Sequence, residues 1–210
     1  MATALRFEEN SSATGNDQVP LSADWQGPAP TRYVQRELTV RLTSDGLEFL
    51  YRDPEPAADL PAGGLQAVLA PAPPPAASLA EALAPAAEAQ LATPLDLNIQ
   101  DVPTYVVLRL DPALNWCFSP GHPAISLKDG AAGAHYGALR HVGPDGSESA
   151  APVAGCRLVH FIASPPMAAG ATATYRHGTN FHVDLMQRSA DGKLSVLPLI
   201  IDPDIRNPSV

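Results

Sequence analysis

Six histidines carry most of the acid–base capacity of this chain, and their spacing decides what they could do together. His177 and His182 are five residues apart, and Asp184 follows His182 at i+2, the spacing that puts two strand side chains on one face. If His177 folds back from a preceding loop, this trio has the donor types for a divalent cation. The competing reading makes His182 and Asp184 the wetted face of an amphipathic strand. His135, Tyr136 and Arg140 form a second group, with His141 close behind. Converging with His177, His182 and Asp184 in one pocket, they would supply an acid, a base and an anion contact. His160 lies between Leu158 and Ile162 on the same strand face and reads as a satisfied core histidine.

Other chemistry is thinner. Asp202, Asp204 and Asn207 offer oxygen donors of the kind calcium takes, although Asp-Pro more often ends a strand in an Asx turn. The sequence contains no Gly-x-Ser-x-Gly, no glycine-rich phosphate loop and no His-Glu-x-x-His. Cys117, between Trp116 and Phe118, sits in an apolar setting that raises a thiol pKa and blunts reactivity. With Cys156 it reads as a pair of buried thiols and not as a disulfide framework. No cofactor follows from any motif, and a divalent metal is the alternative.

The elements that must hold these residues are mostly strands. Leu38, Val40 and Leu42 alternate with polar residues up to Asp45-Gly46, and Leu47 and Phe49 resume the rhythm, which predicts a hairpin. Tyr105 to Leu110 is a near-continuous apolar run suited to a strand covered on both faces. Shorter runs at 115–118, 124–127 and 136–142 and a core run at 156–162 follow. Phe181, Val183 and Leu185 then alternate with His182 and Asp184 and pair, through Asp191-Gly192, with Leu194 to Ile201. Seven or more short strands predict an all-β fold, an antiparallel β-sandwich of Greek-key or jelly-roll type. Residues 1–30 read as an irregular arm with Trp25 as an anchor, and residues 31–210 as one domain. Within that domain, 54–94 is an Ala/Pro-rich insert without a lysine or arginine, carrying a short helix from Ser78 to Leu83. An immunoglobulin reading fails because Trp116 stands next to Cys117 instead of between two cysteines.

The net charge is -9, and the 13 basic residues are scattered, so nucleic acid is not an expected partner. No stretch is long and apolar enough to span a membrane, and the first residues lack a secretory pattern, so the expected location is cytoplasmic.

The closing segment, Phe181-His182-Val183-Asp184-Leu185, then Asp191-Gly192, then Ile201-Asp202-Pro203-Asp204-Ile205-Arg206-Asn207, resembles the end of bacterial AidA/PixA inclusion-body proteins. Over about thirty residues, that resemblance implies an intracellular β-sandwich with an assembly or accessory role and no catalytic residues to carry over. The expectation is therefore a non-catalytic binding or self-assembling module whose partner is a protein or a second copy, with a small-molecule ligand as a further option. The alternative is a small pocket enzyme, a cyclase, isomerase or lyase, using His, Asp and Tyr in acid–base chemistry with or without a metal.

Overall fold

The computed structural model describes residues 18–43, 46–52, 57–69, 91–92, 95–96, 99, 102–164, 175–188, 192–201 and 204–207. They form two facing β-sheets, as the two-residue rhythm predicts. Strands β1 (Val19–Pro20), β6 (Leu95–Asp96), β8 (Trp116–Phe118), β9 (Ile125–Leu127), β13 (Tyr175–Arg188), β14 (Leu194–Ile201) and β15 (Asp204–Asn207) build the first sheet. Strands β2 (Arg32–Thr43), β3 (Gly46–Arg52), β4 (Ala58–Asp59), β5 (Leu91–Ala92), β7 (Thr104–Leu110), β10 (Tyr136–Val142), β11 (Glu148–Ser149) and β12 (Leu158–Ala163) build the second.

Each strand buries alternate side chains between the sheets. Val34 and Leu38 of β2, Val106, Leu108 and Leu110 of β7, and Val159 and Phe161 of β12 meet Ile125, Leu127, Phe181 and Val183 from the opposite sheet. Burying each such side chain contributes about 1.5–3 kcal/mol. Arg36 is also inside, on the β2 row between Val34 and Leu38 and only 1% exposed. Its Nη1 donates to the Gln35 carbonyl at 2.8 Å.

The apolar run of β7 has the double cover its composition requires. Val107 faces outward, where Leu65, Val68 and Leu69, from and beside the five-residue helix α1 (Gly64–Val68), pack with Val142 and Leu158. That helix lies in the Ala/Pro-rich insert; the one expected at Ser78–Leu83 falls outside the described residues. The sheets are mixed, not purely antiparallel: β2 pairs β7 in parallel and β15 pairs β6 in parallel. Parallel neighbours need a long crossover, and the insert between β3 and β7 provides one.

Two features set up the functional region. First, β13 is the spine of its sheet. It pairs β14 over Phe181–Arg188 and β15 over Tyr175–Gly178 in one continuous register on one side, and β8 and β9 on the other. Between β8 and β9 the chain leaves the sheet as Ser119-Pro120-Gly121-His122-Pro123 and returns at Ala124. Second, β10 is bulged against β12 between Gly137 and Arg140. Ala138 there has φ +54°, a left-handed conformation rare outside glycine. The bulge receives the segment before β2: the N–H groups of Ala138 and Leu139 donate to the carbonyls of Asp24 and Ser22, both at 3.0 Å.

The β7–β8 connection is latched by two side chains. Buried Asp111 accepts from Thr39 Oγ1 at 2.6 Å, and the Arg157 guanidinium donates to the carbonyls of Pro112, Leu114 and Trp116.

Candidate active site

Strand parity separates the histidines of β13. Thr179, Phe181 and Val183 point into the core, and His177 shares their side; His182 and Asp184 point to the opposite face. The residues proposed to converge therefore fall into three groups.

The inward group sits at one end of the sandwich, where a 3-10 turn, Gly130–His135, carries the chain from β9 across to β10. Asp129 caps that turn, its Oδ1 accepting from the Ala131 N–H at 2.9 Å. His135 ends it. Tyr136, 2% exposed, begins β10 and lies edge-on to Phe161. Tyr136 Oη is 2.9 Å from His177 Nδ1, and the His135 ring stacks on His177 with centroids 5.7 Å apart and planes 17° apart. Burial pushes the His177 pKa below the ordinary imidazole range. The neighbouring His135 pushes it further down, and Asp129 draws it partly back. His177 is thus held as a neutral base near pH 7.

The outward group lies where the β8–β9 excursion leaves the sheet. The two ends of that loop clamp the His182 backbone: the Ser119 N–H donates to its carbonyl at 2.9 Å, and its own N–H donates to the Ala124 carbonyl at 3.0 Å. His122, on the loop, stacks on the His182 ring with centroids 5.5 Å apart and planes 24° apart. His182 Nε2 is 3.0 Å from Ser126 Oγ, which also lies 3.3 Å from Gln18 Oε1. Burial first, then His122, lowers the His182 pKa. Asp184 stands one step along the same face, opposite Cys117, and adds to the burial that raises that thiol pKa. Cys156 is likewise buried and pushed up to about 11.

Arg140 joins neither group. Its Nη1 donates to the carbonyls of Ala23 and Leu139, at 2.8 and 2.9 Å, fixing the segment before β2. His160 is buried as expected, with Nε2 3.1 Å from Glu148 Oε2 and its ring edge-on to Tyr105. His141 faces the core, where its Nε2 accepts from the Ala124 N–H at 3.3 Å.

The metal readings gain no support. His177 is on the other side of the strand from His182 and Asp184, and among the described residues no three His, Cys, Asp or Glu side chains group closely enough to hold a metal ion. The calcium reading of Asp202, Asp204 and Asn207 cannot be placed, since residues 202 and 203 and the side chains of β15 lie outside what is described. Ser126, His122 and Asp129 were not singled out from the sequence. Ser126 is a lone serine in an apolar strand, and its partner is 56 residues away.

A family model described as "predicted novel nucleotide synthetase" matches residues 61–210. The chain belongs to that family. No curated protein matches the chain, and no solved structure does. Membership corrects three expectations. The ending at 181–207 lies within the nucleotide synthetase match, so the AidA/PixA assignment does not stand. The non-catalytic accessory role gives way to the enzyme alternative, and self-association as the protein's role falls with it. Among the described residues, no helix is long and apolar enough to cross a membrane.

Proposed function

We propose that the protein is an enzyme that forms a bond on a nucleotide, with His177 as general base, His135 as its acid partner and Tyr136 as the residue that orients His177. The observation that carries this reading is the 2.9 Å contact between Tyr136 Oη and His177 Nδ1 beneath the stacked His135 ring. Family membership supports a nucleotide as the substrate class, and the geometry supports these residues as the proton carriers.

In the tautomer whose Nδ1–H donates to Tyr136 Oη, the Nε2 lone pair of His177 is left to accept a proton. An attacking hydroxyl or amine would lose its proton there as its bond to phosphorus forms. The bond from that phosphorus to the departing phosphate breaks, and His135, once protonated, returns a proton to the leaving oxygen. If the attacking hydroxyl belongs to the nucleotide itself, the enzyme is a cyclase. Tyr136 acts by position: its ring is fixed against Phe161, so its hydroxyl holds the imidazole plane still.

The test is product formation from the common nucleoside triphosphates, followed by chromatography with mass detection. His177→Ala is expected to lower turnover about 10²–10⁴-fold, the usual worth of a positioned base, with a native circular dichroism spectrum. Tyr136→Phe is expected to lower it about tenfold, on the milder scale of an orienting residue. Wild-type turnover by a folded His177→Ala protein, or no new nucleotide from any triphosphate, would overturn the assignment.

A further inference from the structure

A serine and a histidine meet on the opposite face of β13, at a place the acid–base cluster does not use. Ser126 Oγ and His182 Nε2 are 3.0 Å apart, the distance at which an imidazole takes a hydroxyl proton. Both are held from behind. The His182 backbone is fixed by Ser119 and Ala124, and its ring is fixed by the stacked His122. Ser126 lies in the middle of three strands, opposite Pro20 of β1 and Asn180 of β13.

The surroundings suit a phosphorus-centred electrophile. Lys128 is two residues along from Ser126, on the same face. Its stem crosses Gly178, where a Cβ would come within 2.9 Å of Lys128 Cδ. This glycine leaves room for the lysine stem to lie across β13, on the face that carries Ser126. Asn180 and His122 add polar groups on the same side. Burial and His122 keep the His182 ring neutral, as a base must be.

We infer that Ser126 is a nucleophile activated by His182, reacting with phosphate esters or anhydrides. The Ser126 Oγ–P bond forms as the bond from phosphorus to its leaving group breaks. The hydroxyl proton passes to His182 Nε2, which then delivers it to the leaving oxygen. The product is a phosphoserine and the released alcohol or phosphate.

Diisopropyl fluorophosphate tests this without any nucleotide, so its outcome is independent of the His177 assignment. Here Oγ bonds to phosphorus, fluoride departs and His182 keeps the proton. The full chain should gain one diisopropylphosphoryl group, mapped by peptide mass spectrometry to Ser126. Ser126→Ala should abolish that adduct, and His182→Gln should slow it about tenfold or more. Ser126→Cys guards against misfolding of the alanine variant: position 126 is as buried as Cys117, but a thiol there has the His182 base within reach and should be alkylated by iodoacetamide before Cys117 and Cys156, whose pKa values burial raises. No adduct on the folded wild type, an adduct on another residue, or equal labelling of His182→Gln would overturn the inference.

Discussion

The chemistry of the inward cluster rests on a neutral imidazole, and its neighbours set the pH at which it stays neutral. His177 is shifted down by burial, then by the charge His135 can carry, and is partly restored by Asp129. Replacing His135 with Phe keeps the stacking surface and removes that charge. The acid limb of kcat/KM for residual turnover is then expected to move up, towards the ordinary imidazole value of about 6.5. Asp129→Asn is expected to move it the other way. A pH–rate series on the two variants checks both signs, and limbs that coincide with the wild type would remove His177 as the titrating base. At this scale the sequence was half legible. The sequence offered His135, Tyr136, Arg140, His177, His182 and Asp184 as one pocket, and of these His135, Tyr136 and His177 lie together while the other three do not join them. Ser126, His122 and Asp129 went unseen, because their roles come from cross-strand contacts that no local spacing encodes.

Among the elements, the bulge in β10 does the positioning, since it lies just after Tyr136 and accepts the segment before β2. Gly137 is required there by space: a Cβ would lie 2.4 Å from the Asp24 carbonyl oxygen and 3.2 Å from the Trp25 ring. Gly137→Ala is expected to cost about 1–3 kcal/mol, the range for overpacking a tight site, and to loosen Tyr136 with it. Ala138→Gly should be close to neutral, because relief of the positive φ is offset by about 0.4–1 kcal/mol of extra freedom in the unfolded chain. Urea unfolding of the two variants separates them, and equal midpoints would show that the approach of Asp24 is not tight. The hairpins at 38–49 and 181–201 were legible because alternation is local. The parallel pairing of β2 with β7 was not, since alternation carries no strand direction. Nor was the exposure of Leu194, Val196, Leu197 and Ile200 on β14, since an apolar run does not say which of its faces will be covered.

For the whole molecule, four histidines share one electrostatic condition. His141, His160, His177 and His182 all have lowered pKa values in the fold, and burial is the first cause in each. The unfolded chain takes up protons near pH 6.5, while the folded chain resists them until lower pH. Stability is therefore complete above about 6.5 and is lost as the pH falls through the folded values. Melting temperatures are expected to be flat from pH 8 to 7 and to fall steadily below about 6.5, as differential scanning calorimetry would show. A flat profile down to pH 5 would mean that these rings are not desolvated. Residue by residue the sequence offered His160 as a core histidine, and the structure adds His141, whose Nε2 must remain unprotonated to accept from Ala124. Finally, His177 and His182 stand an odd number of positions apart on one uninterrupted strand. Deleting any single residue between them would turn both imidazoles to the same flank and dismantle one cluster or the other, so this stretch tolerates changes of side chain far better than changes of length.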